Sequence, residues 1–190
     1  KCDREGLSPF ELLDEIEIGV FVQDASSYVG EAMSLEFQAN LFRKHGPRVL
    51  FKPEASPLGP CISGLHELTN GKASIFEGSG GQLLIDSHRR GVKGTIPGVE
   101  MLDGLVALWN ACEAGDWDRA YEVYYPVCAI ATLQIQGGLD GFIVSERYML
   151  HRQGLFPNQV HRGPLAFHLD EGTRQEIDRL YERLQAVLAA

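Results

Sequence analysis

The sequence predicts a parallel α/β fold, and three observations support that prediction. Short runs rich in β-branched and aromatic residues alternate with longer stretches of helical periodicity over the first two thirds of the chain. Four such β/α units follow one another at intervals of roughly 20 to 30 residues. After residue 115 the strand-like runs stop and only helical patterns follow. This order is typical of parallel strands joined by right-handed helical crossovers.

Each predicted strand is a short apolar run, and each is followed by a helical stretch. Residues 18–24 (IGVFVQD) form the first, and the helix after it has Ser34 as its N-cap and Gly46 as its stop. RVLF is the second strand, followed by residues 58–70, which the turn-forming pair NG closes. KASIF and VKGTI are the third and fourth, and the helices GQLLIDSHRRG and EMLDGLVALWNACEAG follow them.

The last third of the chain is predicted to be helical. Three segments carry the pattern: DWDRAYEVYYPVCAIATLQIQ, LDGFIVSERYMLHRQG and EGTRQEIDRLYERLQAVL. LFPNQVHRGP, rich in turn formers, separates the last two. We therefore predict two regions, a β/α region over residues 1–115 and a C-terminal helical region over residues 116–190.

A sheet of four parallel strands leaves both of its edges unpaired, and parallel sheets are normally covered on both faces. Four β/α units are also half of a (β/α)8 barrel, whose usual length is about 250 residues. We expect this chain to hold the second half of such a TIM barrel, with the first half supplied by further sequence or by another chain. A homo-oligomer is expected for the same reason.

Composition excludes several classes of function. The chain has 17 basic against 26 acidic residues, a net charge of -9, and no basic stripe, so nucleic acid is not an expected partner. Its four cysteines stand far apart without metal-ligand spacing, which favours a reduced, cytoplasmic protein with no metal site. No apolar run approaches 18 residues and the first residues lack a signal-peptide core, so we expect no membrane association.

The residue with the clearest chemical potential is Lys52, which follows the strand VLF and precedes Pro53. Side chains at the carboxyl ends of parallel strands face the ligand site of such folds. Burial there disfavours the ammonium form, and a neutral amine can attack a ketone to form a Schiff base. The alternative is an ion pair with Glu54, two residues on.

Five stretches together resemble a known family: VFVQDASSYVG, VLFKPEAS, FEGSGGQLL, RRGVKGTIPG and GLFPNQVHRGPL. Their order and spacing are similar to those of the dihydrodipicolinate synthase and N-acetylneuraminate lyase family, which is of the class I aldolase type. The resemblance covers residues 18–165 and implies strands five to eight of the barrel plus C-terminal helices. It implies that Lys52 forms the Schiff base with pyruvate or another 2-oxo acid, without a cofactor.

The chain departs from that family at three places. Val22 stands where the family usually has a proton-relaying tyrosine, which leaves Asp24, Tyr28 and Glu77 as competing candidates for proton transfer. Asp24 has an equally good structural interpretation, an Asx-type turn or a helix cap. A proline replaces the serine of the eighth strand. The hydroxyl pair that holds the substrate carboxylate would precede residue 1.

We expect further substrate contacts from polar groups and backbone at the strand ends. These residues are Gln23, Glu54, Glu77, Gly78, Gly80, Thr95 and Ile96.

The sequence therefore predicts a Schiff-base-forming lyase of aldolase or hydro-lyase type that acts on a small 2-oxo acid. A non-catalytic binding or assembly protein that keeps the aldolase scaffold is the alternative, favoured by the missing tyrosine and the missing carboxylate motif.

Overall fold

A computed structural model describes residues 8–28 and 30–190. The strands in these residues are β1 (Val20–Asp24), β2 (Val49–Pro53), β3 (Ser74–Glu77) and β4 (Gly94–Thr95). The helices are α1 (Pro9–Glu15), α2 (Leu35–His45), α3 (Leu58–Leu68), α4 (Leu84–Arg89), α5 (Leu102–Ala114), α6 (Trp117–Ile135), α7 (Gly138–Arg152) and α8 (Glu171–Ala189), and a 3-10 turn lies at Gly46–Arg48.

The strands form one parallel sheet in chain order, β1-β2-β3-β4, with a helix after each strand. This arrangement confirms the predicted fold class, a parallel β/α half-barrel followed by helices. The chain forms two compact units, one of residues up to Gly78 with Asp86–Ile96 and the other of Ser79–Ile85 with Pro97–Ala190. The boundary predicted between residues 115 and 116 stays a prediction.

The first unit is built on β2, which packs against α2 and α3. Val49 and Phe51 of β2 are fully buried. Leu50 and Lys52 alternate with them and are partly exposed, because successive side chains of a strand point to opposite faces. The alternation places Lys52 on the face that does not join the apolar core of the unit.

Local signals in the sequence set the ends of α2. Ser34 caps it as predicted, since its hydroxyl accepts a hydrogen bond from the amide of Phe37 at 3.1 Å. Gly46 ends it with a φ of 69°, a conformation that glycine adopts without strain. Helix α1 was not predicted, although Ser8 and Glu11 form a capping box around Pro9.

The second unit is a helical assembly around α6, which packs against α5, α7 and α8. Its core is apolar and includes Leu105, Leu108, Val123, Val127, Ile130, Ile177 and Leu184. Asp116 caps α6 by accepting from the amide of Arg119 at 3.1 Å. In the ranges that the structure describes, no helix is both long and apolar enough to cross a membrane.

Candidate active site at the carboxyl end of the sheet

Lys52 lies at the carboxyl end of β2, the position that the sequence predicts. Its side chain is 15% exposed, and its Nζ lies 2.6 Å from Oε1 of Glu54, whose side chain is 7% exposed. The ammonium is therefore partly withdrawn from solvent and in direct contact with a carboxylate. The ion pair that the sequence leaves as an alternative is present, and it brings together two of the predicted site residues.

Glu54 is the centre of a small polar network. Nε2 of Gln23 donates to Oε2 of Glu54 at 2.9 Å, and Gln23 is the direct neighbour of Lys52 in the register of β1 and β2. The amide of Glu54 donates to the carbonyl oxygen of Asp24 at 2.9 Å. Ser27, which sequence reasoning missed, adds a hydroxyl contact of 3.4 Å to the carbonyl oxygen of Glu54.

Tyr28 joins this network from the loop after β1. Its pKa is raised to about 12, first by burial and then by the charge of Glu54 and a side-chain hydrogen bond with it, with a smaller contribution from the charge of Glu77. The hydroxyl therefore stays protonated at neutral pH and donates to the carboxylate of Glu54. Of the three candidates for proton transfer, Tyr28 is the one that shares a carboxylate with Lys52.

Aromatic residues line the same face of the sheet, next to the polar network. The rings of Phe21 and Phe76 lie edge to face, with their centroids 5.1 Å apart. Phe21 and Gln23 share a face of β1, and the register pairs them with Leu50 and Lys52 of β2. The pairing of β2 with β3 puts Phe76 on this same face of the sheet. Sequence reasoning missed this pair because it depends on strand register, although the alternation in VFVQD and SIFE is the signal that could have revealed it.

Asp24 is held by the backbone of its own loop. Its Oδ1 accepts from the amide of Ser26 at 3.2 Å and its Oδ2 from the amide of Met33 at 3.3 Å. The residue is 4% exposed and follows Gln23 in β1, so its side chain lies on the other face of the strand. These contacts favour the Asx-turn interpretation, and a role in proton transfer stays a prediction.

Glu77, Thr95 and Ile96 form a second group at the ends of β3 and β4. Glu77 is fully buried, and the hydroxyl of Thr95, its register partner, donates to its Oε2 at 2.5 Å. The amide of Ile96 donates to the carbonyl oxygen of Glu77 at 3.0 Å. The structure brings these three predicted residues together, and their contact with a substrate stays a prediction.

Gly78 packs directly against Glu54. A Cβ at this position would overlap with Cγ of Glu54 and lie 2.9 Å from its Oε1. The glycine therefore allows the carboxylate to occupy its place beside Lys52. Gly80 belongs to the second unit, where it has a φ of 66°, and its predicted contact with substrate stays a prediction.

Replacing Gly78 by alanine is expected to displace Glu54 and to lower the free energy of unfolding by about 1 to 3 kcal/mol, the usual cost of overpacking. Gly19→Ala is the matched control, because a Cβ there meets only ordinary contacts of 3.7 Å. Urea unfolding of both variants measures the difference. Equal stability of the two variants would contradict the packing described for Gly78.

The arrangement as a whole can exchange protons between an amine, a carboxylate and a phenol at the edge of an aromatic surface. No group of three or more histidine, cysteine, aspartate or glutamate side chains in residues 8–28 and 30–190 is placed to hold a metal ion.

Comparison with known proteins finds solved structures of similar fold. No family model matches the sequence, and no curated protein sequence matches it. Among solved structures, dihydrodipicolinate synthase from Rhodopseudomonas palustris is 25% identical, with a TM-score of 0.74 over 86% of this chain and 55% of its own. The 4-hydroxy-tetrahydrodipicolinate synthase of Methylacidiphilum fumariolicum SolV is 19% identical, with a TM-score of 0.79 over 95% and 58%.

A sialic acid aldolase from Ruminococcus gnavus is also similar, at 17% identity and a TM-score of 0.69 over 88% of this chain and 54% of its own. The chain thus spans between 54% and 58% of the length of these three structures. The resemblance noted in the sequence is confirmed: in fold, this chain is similar to the dihydrodipicolinate synthases and sialic acid aldolases, which are TIM-barrel proteins.

Proposed function

We propose that this chain carries the imine-forming lysine of a class I aldolase-type lyase that acts on pyruvate or another 2-oxo acid. The observation that carries the proposal is Lys52 itself, a largely buried amine at a strand end, 2.6 Å from a carboxylate that can accept its proton. The Ruminococcus gnavus aldolase was solved as a catalytic lysine mutant, so that protein uses a lysine in catalysis. Its similarity in fold supports the same role for Lys52.

The proposed reaction begins with a proton transfer from the ammonium of Lys52 to Glu54. The neutral amine then attacks the C2 carbonyl of the 2-oxo acid, and the resulting carbinolamine loses water to give an imine. The imine withdraws electrons from C3, so a C3 proton can leave to a base and an enamine forms. In the direction of synthesis the enamine attacks an acceptor, and in the reverse direction it is the product of carbon-carbon cleavage.

Tyr28 is the group that we propose for proton relay. Its hydroxyl stays protonated, donates to Glu54, and belongs to a residue that is 45% exposed, so it can pass protons between the network and solvent. Val22 in β1 stands where the family usually has a tyrosine and carries no phenol. Tyr28, in the loop after β1, would supply that phenol instead. Asp24 and Glu77 remain the competing candidates.

Exchange of the C3 protons of pyruvate in deuterated water tests this proposal without knowledge of the second substrate. Proton NMR should show loss of the methyl signal at a rate well above that of buffer, because an enamine intermediate makes the C3 protons exchange rapidly. Tyr28→Phe should slow it by about a hundredfold, the lower end of typical acid-base contributions. Tyr125→Phe, at a 65% exposed position of α6, should leave it unchanged. Exchange no faster than buffer across several 2-oxo acids would refute the proposal.

A non-catalytic binding protein is the second candidate, because the Lys52–Glu54 ion pair is what that alternative predicts. Such a protein would bind a 2-oxo acid or another anion without any proton exchange at C3. The same NMR experiment therefore separates the two functions.

We also propose that further strands, of the same protein or of a second copy, cover the edges of the sheet. In the described ranges β1 pairs only with β2, and Phe21 and Ile18 near this edge are 47% and 71% exposed. An open, apolar edge of this kind favours association. The proposed partners are thus a small 2-oxo acid and a further copy of the protein.

A further inference from the structure

One row of side chains crosses the carboxyl end of the sheet at the level of Lys52. The row consists of the penultimate residues of the four strands, Gln23, Lys52, Phe76 and Gly94. The register pairs Gln23 with Lys52 and Phe76 with Gly94. Phe51 pairs with Ile75, so the next position on each strand brings Phe76 beside Lys52. Because neighbouring strands lie about 4.8 Å apart, the amine has one close neighbour on each side.

The row is polar on the β1 side of Lys52 and apolar on the β3 side. Gln23, on the first side, donates to a carboxylate and belongs to the polar network. Phe76, on the second side, is partly exposed and carries no polar group. Its ring meets the ring of Phe21 edge to face at 5.1 Å, and Leu50 lies partly exposed on the strand between them. The amine therefore stands at a boundary between a polar and an apolar surface.

Gly94 leaves room for the ring of Phe76. A Cβ at position 94 would lie 3.1 Å from Cδ1 and 3.2 Å from Cε1 of that ring, which is tighter than side chains normally pack. Strand β3 pairs with a strand on each side, so the further strands proposed for the sheet edges would not pair with it. The apolar surface beside Lys52 thus lies inside the sheet, at the strand ends where parallel β/α folds bind their ligands.

We propose that Phe76, with Phe21 and Leu50 beside it, forms an apolar subsite for the carbon chain of the substrate, so that the preferred 2-oxo acid carries an apolar group beyond C3. This subsite rests on the proposed lyase function, because an imine on Lys52 holds C2 of the acid in the row. Carbon atoms beyond C3 can then reach the next strand, about 4.8 Å away. An apolar tail gains from burial on this surface, whereas a charged tail loses hydration without finding a partner.

Exchange of C3 protons in deuterated water tests the subsite when two acids of similar length are compared. The acid 4-methyl-2-oxopentanoate ends in an isopropyl group, and 2-oxoglutarate ends in a carboxylate. The KM of exchange should be at least about tenfold lower for the apolar acid, as expected when its three terminal carbon atoms are buried. Phe76→Asn should raise that KM by about tenfold, and it should leave the KM of pyruvate, which has no carbon beyond C3, unchanged.

Phe37→Asn is the matched control, because Phe37 forms an edge-to-face pair with Phe10 at 5.5 Å in helices rather than at strand ends. It should leave the KM values of both acids unchanged. Circular dichroism checks the fold of each variant. Phe21→Asn, at a 47% exposed position and with the same expected effect, replaces Phe76→Asn if the latter does not fold.

The outcomes separate the subsite from the lyase function. Equal KM values for the two acids in the wild type would overturn the subsite, and so would a Phe76 variant that loses stability while the ratio of the two KM values stays the same. In either case, exchange of the pyruvate protons would still support the lyase. Absence of exchange with every 2-oxo acid would refute the lyase function and the subsite with it.

Discussion

Lys52→Arg is expected to abolish the exchange of pyruvate C3 protons and to leave the fold unchanged. A guanidinium keeps its charge at any accessible pH and cannot serve as the nucleophile, so no imine forms. Arginine can still pair with Glu54, so the network with Gln23 can persist and the free energy of unfolding should change by less than about 1 kcal/mol. Proton NMR and urea unfolding on the same preparation measure the two quantities.

Lys93→Arg is the control for this substitution, because Lys93 is exposed and precedes β4 rather than ending a strand. It should retain full exchange. Exchange that survives in the Lys52 variant would assign the chemistry to another group.

The free energy of unfolding is expected to fall as the pH rises from about 5 to about 8, because of Glu100 in the second unit. This residue is 3% exposed, and its Oε1 accepts from Gln134 at 2.7 Å. Its pKa is raised to about 7, first by burial and then by the charge of Glu146 and a side-chain hydrogen bond with it. The folded protein therefore binds this proton more tightly than the unfolded chain does.

The sign follows from that difference in proton affinity. The stabilising contribution is complete below the unfolded pKa of about 4.5 and is lost as the pH rises through about 7. A shift of this size corresponds to roughly 3 kcal/mol. Glu100→Gln, which stays neutral and can still accept from Gln134, should be more stable than the wild type above pH 7 and less dependent on pH.

Urea unfolding at several pH values compares the two proteins. Glu122→Gln, at an exposed position of α6, is the control and should follow the wild-type profile. If the free energy of unfolding of the Glu100 variant changes with pH by the same amount as that of the wild type, this carboxyl group is not the source of the pH dependence.

Much of the fold was predictable because its signals are local. The alternation in VFVQD, the Ser34 cap and the stop at Gly46 each act within a few residues, and each lies where the sequence predicts it. The position of Lys52 was predictable for the same reason, since a strand end next to a proline is a local feature. The capping box of α1 was visible in SPFE and was missed.

The parts of the site that escaped prediction depend on contacts between distant segments. The edge-to-face pair of Phe21 and Phe76 requires the register of three strands. The bond of Tyr28 to Glu54 requires a loop conformation that no periodicity specifies. The burial of Glu100 against Gln134 joins positions 34 residues apart, and a sequence pattern holds no signal for it.

Borohydride reduction in the presence of pyruvate reports imine formation on Lys52 directly, because it converts an imine into a stable secondary amine. We expect one adduct per chain, located by peptide mass spectrometry on Lys52, with Lys93 unmodified and no adduct in the Lys52→Arg variant. A folded, complete assembly in which a range of 2-oxo acids leaves Lys52 unmodified would contradict it, and the ion pair with Glu54 would then be the role of this lysine.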